Sequence, residues 1–190
     1  MKKILIKCVA TATMILLAAS CGKGDGDAEY GNSFVYIPQA TQSGGLNNHY
    51  LVPSGEGPYT YNFKIEEGNV KIMMGVMRSG KTVGKAYTVD IVDDGDATER
   101  FVSKKDVEEP GKYLKMPMCY SFPHKIEVGN GESAKTFYVE IPVSEIIKNE
   151  YDSKILVLTL KLAESTVYPL SDKNTEVVVL LNINSMKAHF

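Results

Sequence analysis

The chain has 190 residues, 21 Lys and Arg against 23 Asp and Glu, and a formal net charge of −2. A balance this even, without a basic block, excludes the clustered cations that nucleic-acid phosphates require. The three cysteines, Cys8, Cys21 and Cys119, offer no disulfide framework, so stability has to come from a packed core.

Residues 1–20 read as a secretory signal. Lys2, Lys3 and Lys7 form a positive start, and Cys8 to Ala19 form a mostly apolar stretch too short to span a bilayer. Leu17-Ala18-Ala19-Ser20 then brings small residues up to Cys21. That order resembles a lipobox, in which the Cys thiol is acylated and becomes the new N-terminus; Ala18 stands where Leu is commoner. Cleavage there removes Cys8 and lipidates Cys21, leaving Cys119 alone. Residues 21–32 follow as a flexible, Gly- and acid-rich tether. Its acids Asp25, Asp27 and Glu29 resemble the surface-export signal of Bacteroidota lipoproteins. The expected location is the outer membrane, lipid-anchored and facing the cell exterior.

Residues 33–190 read as one β-sandwich domain. Ser33 to Pro38 opens a short strand, and Gln42 to Gly57 reads as a polar loop. Apolar residues alternate in Tyr59 to Ile65, a turn at Glu66-Glu67-Gly68-Asn69 leads into Val70 to Met77, and Tyr87, Val89 and Ile91 mark the next strand. An acidic loop from Asp93 to Glu99 follows, after which the pattern fades. Lys125 to Val128 and Thr136 to Ile141 flank Asn130-Gly131, a pair that tolerates positive φ. Ser144 to Tyr151 reads as a short helix with Ser144 as N-cap. Ile155 to Leu162 and Thr175 to Ile183 are apolar runs rich in β-branched residues, as expected of central strands. The expected fold is all-β: an immunoglobulin-like antiparallel two-sheet sandwich of about seven strands and one short helix.

Several patterns suggest chemistry. Gly75 to Thr82 matches the phosphate-loop letters G-x-x-x-x-G-K-[ST], but Gly75 lies in a strand pattern and no helix follows Thr82, so no nucleotide is expected. Asp93, Asp94 and Asp96 supply hard oxygens suited to calcium but miss the EF-hand spacing. Met116, Met118, Cys119 and His124 read as packing residues rather than a soft-metal site. No metal or cofactor is therefore expected. His49, His124 and His189 are the only histidines, and no nucleophile elbow or metalloprotease motif accompanies them, so no catalytic residue is assigned. A carboxylate pair that meets only in space remains an alternative. Among loop tyrosines, Tyr50 (beside Asn48 and His49), Tyr113 and Tyr120 are candidate sugar-stacking residues, with the amide and imidazole beside Tyr50 bonding hydroxyls.

Val35-Tyr36-Ile37-Pro38-Gln39-Ala40, Gly75 to Lys81, Lys154 to Ala163, Tyr168-Pro169-Leu170 and Val177 to Ile183 together resemble a lipoprotein domain family of unknown function, widespread in Bacteroidota. That family is best known as the N-terminal β-sandwich of endo-β-N-acetylglucosaminidase-type surface lipoproteins. The likeness runs from about Ser33 to Asn184. It implies an immunoglobulin-like sandwich near glycan-uptake machinery, and it supplies no catalytic residues. The functional expectation is a non-catalytic surface lipoprotein that helps to capture extracellular glycan or contacts an uptake complex. The alternative is a structural or adhesive subunit whose exposed sheet edge pairs with another chain.

Overall fold

The computed structural model describes residues 32–41, 47–80 and 84–190. The signal, Cys21 and the tether up to residue 31 lie outside the described residues, as do Lys81 and Thr82 of the phosphate-loop look-alike.

Ten strands build two sheets: β1 (Val35–Tyr36), β2 (His49–Val52), β3 (Phe63–Glu66), β4 (Asn69–Arg78), β5 (Tyr87–Asp93), β6 (Tyr113–Lys115), β7 (Lys125–Val128), β8 (Ala134–Pro142), β9 (Ile155–Ser165) and β10 (Glu176–Asn182). Three helices accompany them: α1 (Gly95–Glu108), α2 (Val143–Ile146) and α3 (Ile183–Lys187).

In the four-stranded sheet β4 is the spine. Val70, Ile72, Met74 and Val76 alternate inward along it, and β8 pairs antiparallel along one whole flank, from Asn69↔Pro142 to Met77↔Ala134. The tight β3–β4 turn places Glu67 and Gly68 at φ 53° and 75°, which suits a two-residue hairpin. The other flank of β4 is shared end to end by β3 and β1. Where neither reaches, the Gly75 N–H donates to Gln39 Oε1 (3.1 Å), and the Met73 N–H donates to the Asn62 carbonyl (2.9 Å). The Pro38–Thr41 turn closes over this gap, with the Pro38 ring 3.4 Å from where a Cβ at Gly75 would stand. Gly75 is thus a packing residue of a central strand, not the start of a phosphate loop.

The six-stranded sheet runs β2-β10-β9-β5-β7, with β6 beside β9. It repeats the same device. One flank of β9 is shared by β6, at Ile155 to Val157, and by β5, from Leu160 onward. In the interval, the Thr159 N–H donates to Thr98 Oγ1 (2.9 Å) and the Thr159 carbonyl accepts from the Asp94 N–H (2.9 Å). A helix thereby completes the ladder of a strand.

The core lies between the sheets. Leu156, Leu158, Leu160 and Leu162 of β9 and Val177, Val179 and Leu181 of β10 meet Ile72, Met74, Val139 and Ile141 of the opposite sheet. Burial of each such side chain contributes about 1.5–3 kcal/mol. The outward-facing Val157, Val178 and Leu180 form a second apolar cluster, covered by Phe101 and Val102 of α1. This double covering explains why β9 and β10 carry near-continuous apolar runs.

The two-sheet all-β sandwich expected from the sequence is present, with differences in detail. The strands number ten rather than about seven among the described residues. The six-stranded sheet is mixed, since β2 pairs parallel to β10 and β6 parallel to β9. The loop expected at Gln42 to Gly57 contains β2, and of the strand expected over Tyr59 to Ile65 only the last part pairs. The acidic loop at Asp93 to Glu99 opens α1, a helix of 14 residues, because Asp94 Oδ1 accepts from the Ala97 N–H (2.9 Å) as an N-cap. The helix expected at Ser144 to Tyr151 is α2 followed by a 3-10 turn at Asn149–Tyr151, and its N-cap position is Pro142 rather than Ser144.

Candidate functional site

The candidate residues separate into three environments. Tyr50 is not in a loop and is only 2% exposed; its ring crosses the core and its O–H donates to the Met73 carbonyl (2.9 Å). Burial pushes the phenol up to about 12. It ties the two sheets together and cannot meet a ligand from outside.

His49 and Tyr113 are brought together under α1. The His49 ring stands edge-on to Phe101 at 5.1 Å, and Phe101 is 6.0 Å from Tyr113. Burial, then the charges of Lys105 and Lys104, hold the His49 imidazole below its ordinary range, so it is neutral at physiological pH. Tyr113 belongs to β6 rather than a loop, and its O–H donates to Glu109 Oε1 (3.3 Å). Both rings fasten the helix to the sheet.

Tyr120 is half-buried and donates its O–H to Asp93 Oδ2. Burial, then that bond, raises its phenol well above the usual range. Asp93 holds a tyrosine and Asp94 caps α1, so these two of the acids weighed for calcium have structural roles. Asp96 sits in the first turn of the helix, where a carboxylate suits the positive end of the dipole. Among the described residues no three His, Cys, Asp or Glu side chains are placed to hold a metal ion. The Met116–His124 set does not converge either: Met116 is buried and Met118 is 84% exposed, while burial raises the Cys119 thiol above its ordinary range.

Asn48 belongs to a different place, the polar part of the six-stranded sheet that α1 leaves uncovered. Register aligns Val92 of β5, Lys161 of β9 and Glu176 of β10 in one outward row, and Asn47 and Asn48 run into β2 beside Glu176. Asn48 Nδ2 donates to both the carbonyl and Oε1 of Glu176, each at 3.2 Å, which holds the amide and the carboxylate side by side. Asn47 Oδ1 accepts from the His49 N–H (3.0 Å). A cleft of about 580 Å³ opens here, lined by Asn47, Asn48, Lys161, Asp172, Asn174 and Glu176. A second depression of about 520 Å³, beside Asp93, Asp94 and Asp96, shares Lys161 as its wall. The Lys161 ammonium stands in no ion pair with a described residue.

Chemically the cleft sets the Lys161 and Lys173 ammonium groups, side-chain amides and carboxylates around one volume. Such alternating donors and acceptors match vicinal hydroxyl groups, each of which both gives and takes a hydrogen bond. Sequence reasoning found Asn48 but missed Lys161, Asp172, Asn174 and Glu176. Lys161 carried a readable signal, being the one charged residue in the apolar run Ile155 to Leu162.

Two further depressions, of about 530 and 520 Å³, lie along β7 and β8. The second separates the outer edges of those strands and is lined by Lys125, Glu127, Lys135 and Glu140, charges of the kind that discourage strand addition at an open edge.

No protein-family model matches the chain, and no curated protein matches it. Solved structures do. A structure of unknown function from Bacteroides ovatus aligns with TM-score 0.54 and 13% identity over 80% of this chain and 52% of its own. A multidomain protein including DUF1735, from the same organism, aligns with TM-score 0.51 and 17% identity over 80% and 45%. A proposed carbohydrate-binding protein from Bacteroides ovatus aligns with TM-score 0.50 and 11% identity over 78% and 36%. This chain therefore spans about a third to a half of the length of the structures it matches, and what it shares with them is the fold.

Proposed function

We propose that this chain is a non-catalytic saccharide-binding domain of a lipid-anchored surface protein, and that the Lys161 cleft is its binding site. The observation that carries the reading is the cleft itself: the Lys161 ammonium of β9, in no ion pair with a described residue, and the Asn48–Glu176 pair at the start of β10, beside Asn47 and Asn174. The name of one structure sharing the fold, a proposed carbohydrate-binding protein, supports it. So does the sequence resemblance to the sandwich that precedes the catalytic domain in endo-β-N-acetylglucosaminidase-type lipoproteins, which fits an accessory part in glycan uptake.

Affinity electrophoresis of the full chain in detergent against a panel of soluble polysaccharides tests the binding. At least one polysaccharide is expected to retard it. Lys161→Ala is expected to weaken that retardation about tenfold, the equivalent of one charged hydrogen bond. Because Lys161 is exposed, its loss leaves the melting temperature unchanged. Retardation unaffected by Lys161→Ala and by Glu176→Ala would place binding elsewhere. The anchor has its own test: Cys21→Ser is expected to move the protein from the membrane to the soluble fraction. A Cys21→Ser protein still wholly membrane-bound would remove the lipid anchor from this reading.

A further inference from the structure

The charge around the cleft narrows the ligand class. Lys161 and Lys173 are the cations of the two depressions that meet at β9, against five carboxylates: Asp172 and Glu176 in one, Asp93, Asp94 and Asp96 in the other. A lone exposed ammonium attracts anions. Here five carboxylates line adjoining depressions against two ammonium groups, and Lys115, which also faces Asp93 and Asp96, is itself paired to Glu99. A uronate or sulfate bonded to Lys161 would also lie beside the Asn48–Glu176 pair, whose carboxylate Asn48 holds in place. Hydroxyl groups have no such conflict: they donate to the carboxylates and accept from the ammonium and amides.

We propose that the Lys161 cleft selects uncharged saccharide chains and rejects uronate- and sulfate-bearing ones. This inference rests on the saccharide-binding reading above. Rejection by juxtaposed like charge is a common source of specificity, and it acts even where attractive contacts are shared by both ligands. Lys161 then acts as a hydroxyl donor rather than an anion receptor.

The test uses matched polymers that differ only in charge: polygalacturonate and its methyl ester, and a sulfated galactan and its desulfated form, alongside neutral glucan, mannan and xylan. Full-length protein in detergent is expected to be retarded by neutral chains at least about tenfold more than by their charged counterparts, with little change between low and high salt. The double variant Asp96→Asn, Asp172→Asn removes two exposed carboxylates and is expected to raise retention by the charged polymers about threefold or more at low salt. Tighter binding to a charged polymer than to its neutral partner, lost as salt rises, would overturn the inference while leaving the saccharide-binding reading intact. Retardation by none of the polymers would overturn both.

Discussion

Leu160→Ala is expected to cost about 2–5 kcal/mol, because Leu160 is fully buried on the inner face of β9 and its loss opens a cavity between the sheets. For a domain of this size that is a fall in melting temperature of roughly 5–20 °C, read by calorimetry or by far-ultraviolet circular dichroism. Leu51→Ala is the matching control. The same truncation at a side chain 62% exposed on β2 is expected to stay within about 0.5 kcal/mol of the parent. Equal effects at the two positions would mean that the inner face of β9 has been misassigned.

Thr98→Val is expected to cost about 1–3 kcal/mol with almost no change in shape. The hydroxyl is the acceptor for the Thr159 N–H and donates to the Asp94 carbonyl (3.1 Å) in a place where the residue is 1% exposed. Valine leaves a buried backbone donor with no partner, whereas Thr98→Ser keeps the acceptor. The Thr159 amide should exchange with deuterium faster in Thr98→Val than its neighbours in β9 do. The neighbouring substitution is expected to have the opposite sign. Thr159 Oγ1 is itself buried without a hydrogen-bond partner among the described residues, so Thr159→Val removes an unsatisfied group and should be neutral or stabilising by up to about 1 kcal/mol. If Thr98→Val proves as stable as the parent, the helix does not complete the β9 ladder.

These two positions also mark the boundary of what the sequence discloses. Strands whose faces alternate, β4, β5 and β8, are readable because period-2 spacing is a local property. β9 and β10 are readable by their apolar runs. β2 and β6 are not, because His49-Tyr50-Leu51-Val52 and Tyr113-Leu114-Lys115 are too short to show a period, and their parallel partners lie tens to more than a hundred residues away. The helix α1 escaped notice because its covering face offers little beyond Phe101 and Val102. Its opening signals were present all the same. Asp94 and Asp96 are the acids expected at a cap and first turn, and a run of acids reads equally as a solvated loop. Of the candidate site the sequence disclosed Asn48 and not its neighbours. Asn48 stands out locally, but its partner Glu176 is reached only through strand register.

The way β9 and β10 hold the larger sheet together has a bearing on how the protein folds. The four strands of the smaller sheet all lie at or before Pro142, whereas β2 and β6 wait for their partners, and β5 for its second one beside β7, until the segment from Ile155 to Asn182 is in place. Until then one finished layer presents Ile72, Met74, Val139 and Ile141 to water. Native pairings of such long sequence separation form slowly, and a half-built apolar layer invites aggregation while they do. Truncations within the final quarter of the chain should therefore yield insoluble material rather than a smaller folded unit, read as the soluble fraction of each truncated protein.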